Sequence, residues 1–346
     1  MTDSAKQPVL PSLTTSEIAS LWTDYMQMTA SECMFNYFAQ HVENSKIQEL
    51  VEDAQKVVKN HISGIVNIFN EASFPLPIGF TSQDWNPKAP RLFEDEYYIQ
   101  YIINFTKLGM TLSAGYTGNA TRADVHMLFS NSLSSITKLN RKTVQFALEQ
   151  GSYVRPPIVP LPYKQDYVED KRFMSPGWFT QETRPLLASE ISYLHANIIR
   201  NKIGSMTITA FSQVAKDEEV RNFFLKGAAL ADKQIQSHGN LLHQNQIPVP
   251  AYSNALITDS NLISPFSDKL MLFETSGMTS IGITFISQSL INTMRMDIQA
   301  QYVKYAMEIS KYSKEGANLL ISKGWMEQPP ETVDRKALAN EEKKGE

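Results

Sequence analysis

The chain repeats itself after 173 residues, and the register holds from near its start to near its end without a gap. Ser16, Glu17, Ile18 and Leu21 return as Ser189, Glu190, Ile191 and Leu194, and Phe38 with Gln40 returns as Phe211 with Gln213. Pro75 and Pro77 return as Pro248 and Pro250, Phe93 and Asp95 as Phe266 and Asp268, and Gly109 as Gly282. Arg122 and Asp124 match Arg295 and Asp297, and Gly151, Pro156 and Pro157 match Gly324, Pro329 and Pro330. A constant offset across anchors at both ends and the middle marks a duplicated unit. Each half, at roughly 150 residues, is of ordinary domain size and can bury its own core.

Within each half, apolar residues recur at helical spacing in four long segments. The clearest runs through Ile47, Leu50, Val51, Ala54, Val58, Ile62, Ile65 and Phe69, one face of an amphipathic helix. The spacing predicts helices over 15–42, 45–70, 92–116 and 121–150, then over 187–215, 218–245, 267–289 and 293–323. No stretch alternates strongly enough to demand a sheet, so the fold class is all-α. Short links join the first helix to the second and the third to the fourth, which makes each pair an antiparallel hairpin. About twenty residues separate the second helix from the third, enough to cross a bundle as in ferritin-like folds, with a simple meander as the alternative.

The expected layout is two tandem ferritin-like four-helix bundles at 14–157 and 187–330, with tails at 1–13 and 331–346. Between them, 158–186 carries Tyr163, Tyr167, Phe173, Trp178 and Phe179, and is expected to pack across both bundles. The charged stretch from Asp334 onward is expected to be mobile. One pair distinguishes the topologies. Glu17 and Arg122 open the first and fourth helices, as Glu190 and Arg295 do in the repeat. A crossover places each pair at one end of its bundle, within reach of a salt bridge, with two solvated charges as the alternative; a meander separates them.

With 32 basic against 36 acidic residues and no long basic block, nucleic acid is a poor partner. One cysteine, Cys33, excludes an intramolecular disulfide and fits a reducing compartment. The first residues lack the basic start and apolar core of a signal peptide, and the apolar stretch 278–290 is broken by Thr, Ser and Gln and too short to span a bilayer. A soluble cytoplasmic protein without a membrane partner is expected.

Six runs, kept in order, carry a resemblance: Leu13-Thr-Thr-Ser-Glu-Ile, Ala89-Pro-Arg-Leu-Phe, Tyr153-Val-Arg-Pro-Pro, Phe211-Ser-Gln-Val-Ala-Lys, Ser264-Pro-Phe-Ser-Asp-Lys-Leu-Met and Gly324-Trp-Met-Glu-Gln-Pro-Pro. Together they resemble the tandem proteins of domain-of-unknown-function family 3231, over nearly the whole chain. The resemblance implies a ferritin-like fold and a lineage of endospore-forming Bacillales in which some members are labelled spore coat proteins. It implies no established activity.

A ferritin-like fold raises the question of a di-iron centre, which wants a Glu from each of two helices and Glu-x-x-His from each of the other two. No Glu or Asp stands three residues before any of the six histidines. On the apolar stripes, Glu32 and His61 are expected within about a turn of each other, with Ser205 and Gln234 at the same places in the repeat. The economical reading is one buried hydrogen bond in each half; the functional one is a metal or small-molecule site at Glu32 and His61. His238 and Glu274 also lie on apolar faces, but a crossover keeps them apart. Cys33 has no histidine a turn away to activate it, and Gly109 with Gly282 suggests close helix packing. The function expected is a non-enzymatic structural or interaction protein, spore-associated by resemblance, without a cofactor, that binds protein partners or itself. The alternative is a degenerate ferritin-like metal or small-molecule binder.

Overall fold

The computed structural model describes residues 11–160, 166–174, 184–251, 256–258 and 263–341. Its long helices are α1 (Thr15–His41), α2 (Ser45–Glu71), α3 (Asp95–Asn119) and α4 (Ala123–Glu149), then α5 (Ala188–Val214), α6 (Glu218–Gln244), α7 (Asp268–Ile291) and α8 (Met296–Ser322). A short α9 (Arg335–Glu341) follows where the charge-rich sequence predicts a mobile tail. Asp334 starts it by accepting the N–H groups of Lys336 and Ala337, which offsets some of the cost of ordering so short a segment.

Local chemistry sets the other helix ends as well. Thr14 and Glu17 form a capping box on α1, while Asn44, Asp217 and Ser267 cap α2, α6 and α7. Gly151 and Gly324, paired by the repeat, leave α4 and α8 at φ 73° and 68°, the left-handed conformation glycine adopts without steric cost.

Side-chain clasps show how the helices run. The Asp95 carboxylate at the start of α3 accepts the N–H groups of Glu43 (3.1 Å) and Asn44 (2.7 Å), in the α1–α2 turn. Asp268 holds Lys216 and Asp217 in the same way. At the opposite end, Glu17 of α1 is bonded to the start of α4. Helices α1 and α4 are therefore parallel, and residues 72–94 travel the length of the bundle. This is the crossover connection of ferritin-like folds, present in both halves.

The two connectors also pair with each other, which nothing in the sequence indicates. Trp85 bridges Phe266 and Phe93 bridges Ile257, both antiparallel. The exchange is reciprocal: Asn86 donates to the carbonyl of Pro265 (2.8 Å), and Thr258 to that of Leu92 (3.0 Å). Below them, Tyr101 of α3 donates to Glu274 of α7 at 3.4 Å, and these residues are themselves repeat equivalents. Contact between equivalent positions places a pseudo-two-fold axis between them, the geometry of an isologous dimer made from one chain.

An aromatic-rich core shared by both bundles lies at the connector end, with Phe38, Tyr97, Phe211, Phe224 and Phe266 among its buried members. A smaller cluster closes the far end of each bundle. Helix α7 contains the 278–290 stretch, and at 24 residues it is long and apolar enough to cross a bilayer by length and composition. In the fold, its Leu270, Met271, Leu272 and Ile286 are buried core. Of the linker aromatics, Tyr163, Trp178 and Phe179 lie outside the described residues. Tyr167 is exposed instead of packing across the bundles, and Phe173 stacks beneath Arg184 at 4.3 Å.

Candidate functional site

The polar residues marked in the sequence come together in partnerships partly different from those expected. Glu17 and Arg122 do meet, but not as a side-chain salt bridge. One Glu17 oxygen accepts the backbone N–H of Thr121 (2.8 Å) and of Arg122 (2.7 Å); the other accepts the N–H of Thr14 (2.8 Å). The start of α4 has no side-chain cap of its own, so a carboxylate from α1 takes its unpaired N–H groups. The Arg122 guanidinium pairs instead with Asp124, at 2.9 and 2.5 Å. Burial pushes the Glu17 carboxyl up, but the hydrogen bonds from Thr14, Arg122 and Thr121 outweigh it and bring it down to about 2. Glu190 repeats the clasp on Arg295 (3.0 Å) and adds a bidentate pair with Arg184, while Arg295 turns to Asp297.

His61 bonds to Asp24, not to Glu32. Asp24 and His61 stand almost equally far from the α1–α2 turn, whereas Glu32 is about two helical turns closer to it. In the repeat, Ser205 donates to Asp232 (2.8 Å), and Gln234 accepts from Asn201 (3.2 Å), so these two do not bond each other. Asp24 and His61 are two donors, and among the described residues no group of three His, Cys, Asp or Glu side chains is placed to hold a metal. The residues present do not fit a ferritin-type metal pair. His238 and Glu274 are not bonded to each other; both ring nitrogens of His238 lack a partner, and burial pushes it down to about 3. Cys33 is buried and raised to about 12 by that burial, the state of an inert thiol.

The feature the sequence concealed is a cavity of about 310 Å³ between the bundles, lined from α1, α3, α5 and α7 on both sides of the pseudo-two-fold axis. Its walls are mainly apolar, with Ile103, Leu108, Leu112, Ile199, Met278 and Phe285 among them. Glu274 faces it with one oxygen toward Tyr101 and the other without a hydrogen bond. Burial raises the Glu274 carboxyl to about 7, and the Tyr101 hydroxyl only partly offsets this. Asp24 of the histidine pair, His195 with an unpartnered Nε2, and two cations, Lys107 and Arg200, also line the space. Gly204 opens onto it, since a Cβ there would meet nothing within 4 Å. Sequence reasoning had one usable signal: Arg200 falls in phase with the buried Ile203 and Thr207 on α5, where a solvated charge has no place.

Two crossover bundles fused around a common cavity define a duplicated all-helical protein in which that cavity belongs to neither half alone. The chain belongs to the family described as "Protein of unknown function (DUF3231)", whose model matches residues 6–164 and again 176–338. The crystal structure of a "putative spore coat protein" from Bacillus halodurans C-125 is similar at 18% identity and a TM-score of 0.40, over 43% of this chain and 97% of that one. No functionally curated protein matches the sequence.

Proposed function

We propose that this chain is a non-enzymatic binding protein, a fused pseudo-dimer that encloses a small, largely apolar molecule in the cavity between its bundles. The observation that carries the reading is the cavity itself. Pockets that hold small molecules are typically ~300–1,000 Å³, apolar, and furnished with a few convergent polar groups, and this one has Glu274, Tyr101 and Arg200. The mainly apolar walls support a binding role.

The test uses Gly204→Leu, which enters the space from a helix position where an added Cβ meets no heavy atom within 4 Å. Wild type is expected to bind an apolar fluorescent probe such as N-phenyl-1-naphthylamine at one equivalent. The variant should lose that binding while melting no lower than wild type, because replacing a helical glycine favours the fold by roughly 0.5–1 kcal/mol. Absence of probe binding to wild type overturns the reading. The spore setting is proposed from the lineage of the resemblance; a fluorescent fusion followed through sporulation tests it, and signal confined to vegetative cells would refute it.

A further inference from the structure

Resting on that binding reading, we infer that the cavity selects an anionic amphiphile, a single apolar chain ending in a carboxylate, with the carboxylate held by the Arg200 guanidinium. Arg200 of α5 is half-buried. Its side chain donates to the amide oxygen of Asn197 at 2.6 Å and lies over the Phe285 ring at 4.9 Å. Among the described residues no carboxylate pairs with it. Lys107 of α3, more exposed at the cavity's edge, likewise has no carboxylate partner and stands over the Tyr153 ring at 5.8 Å. Arg91, Arg122, Arg184 and Arg295, all buried or half-buried, each pair with a carboxylate, and half-buried Arg221 donates to the backbone carbonyl of Ala215.

A desolvated cation without a counter-charge is costly, and an anion that supplied one would recover that cost. A guanidinium with free N–H groups matches a carboxylate through two parallel hydrogen bonds. The carboxyls already in the cavity do not satisfy the cations. Asp24 is turned to His61, and Glu274 lies on the axis with Tyr101, where burial favours its neutral form and so weakens its repulsion of an incoming anion. Lys107 at the edge draws the anion in, Arg200 fixes its head, and the apolar walls of Ile199, Ile203, Met278, Ile281 and Phe285 take the tail.

The experiment is isothermal titration of the full chain with decanoate, decanol and decyltrimethylammonium, each below its micellar concentration, on wild type, Arg200→Gln and Lys107→Gln. Decanoate is expected to bind wild type at least about tenfold more tightly than decanol, the scale of a charge-assisted hydrogen-bonded pair, and the cation to bind more weakly than either. Arg200→Gln should erase the preference while leaving decanol affinity in place, which shows that the cavity is intact. Lys107→Gln should reduce it less. Equal binding of decanoate and decanol, or a preference that survives Arg200→Gln, overturns the anion inference and leaves the binding reading standing. Failure of all three ligands on wild type overturns both.

Discussion

The Glu17 clasp makes a quantitative prediction because its cause and sign are both explicit. Its carboxyl falls from an ordinary 4.5 to about 2 on folding. A group depressed in the folded state stabilises the fold fully above its unfolded value, and that stability drains away as pH drops from about 4.5 to about 2. At ~1.4 kcal/mol per unit, the shift is worth about 3 kcal/mol, and screening at the bundle end reduces this to about 2. Glu17→Gln keeps the size and one acceptor but removes the charge that draws the N–H groups of Thr14, Thr121 and Arg122. Urea unfolding followed by far-ultraviolet circular dichroism between pH 2.5 and 7 should find the two proteins nearly equal at the acid end. The wild-type advantage should grow to about 2 kcal/mol near pH 5 and stay level above it. An advantage that is constant with pH, or absent at pH 7, would refute the clasp.

His238 carries the opposite chemistry to a similar slope. Held neutral down to about 3 in the folded state, against 6.5 normally, it takes up a proton on unfolding. It therefore costs the fold up to ~1.4 kcal/mol per pH unit as pH falls below about 6.5; thermal melts of His238→Phe should lose that part of the acid slope, and an unchanged slope would mean His238 is solvated. Two helical glycines, Gly227 of α6 and Gly282 of α7, should respond in opposite directions. Gly227→Ala places a methyl 2.1 Å from the Tyr312 hydroxyl, which donates to the Phe223 carbonyl, and should cost about 1–3 kcal/mol by overpacking. Gly282→Ala meets only Ile309 at 3.8 Å and should gain roughly 0.5–1 kcal/mol from helix propensity; denaturant midpoints measure both.

Most of the fold was legible because its determinants are local or duplicated. Apolar spacing located the eight long helices to within a few residues; loop length favoured the crossover, and only the bond from the start of α4 to Glu17 decided it against a meander. The partner choices were not legible. Periodicity puts Glu32 and His61 on inward faces, yet only the register counted from the turn shows that Asp24 is the residue opposite. A carboxylate near an arginine reads as a salt bridge; that it serves the uncapped N–H groups of α4 depends on Arg122 being the last residue before that helix. Gly109 and Gly282 read alike in the repeat, but an added Cβ would press on Ile136 at 2.8 Å in one half and has ordinary room in the other. The cavity was beyond reach for a further reason. It is formed by docking one half on the other, and a pattern within either half carries no information about the gap between them.

Fusion explains why that gap has the chemistry it does. In a dimer of identical chains, a residue on the two-fold axis faces itself, and two glutamates there would repel or share a proton. In one chain the two positions have diverged to Tyr101 and Glu274, a donor facing an acceptor. The same divergence sets Arg200 against Gln27 and Lys107 against Ser280, so each cation occurs once although its frame occurs twice. A symmetric cavity would offer an elongated ligand two equivalent orientations. This one sets Arg200 and Lys107 on α5 and α3 against Gln27 and Ser280 on α1 and α7 within similar walls, and on the inference above that asymmetry makes a single-headed molecule bind in one direction.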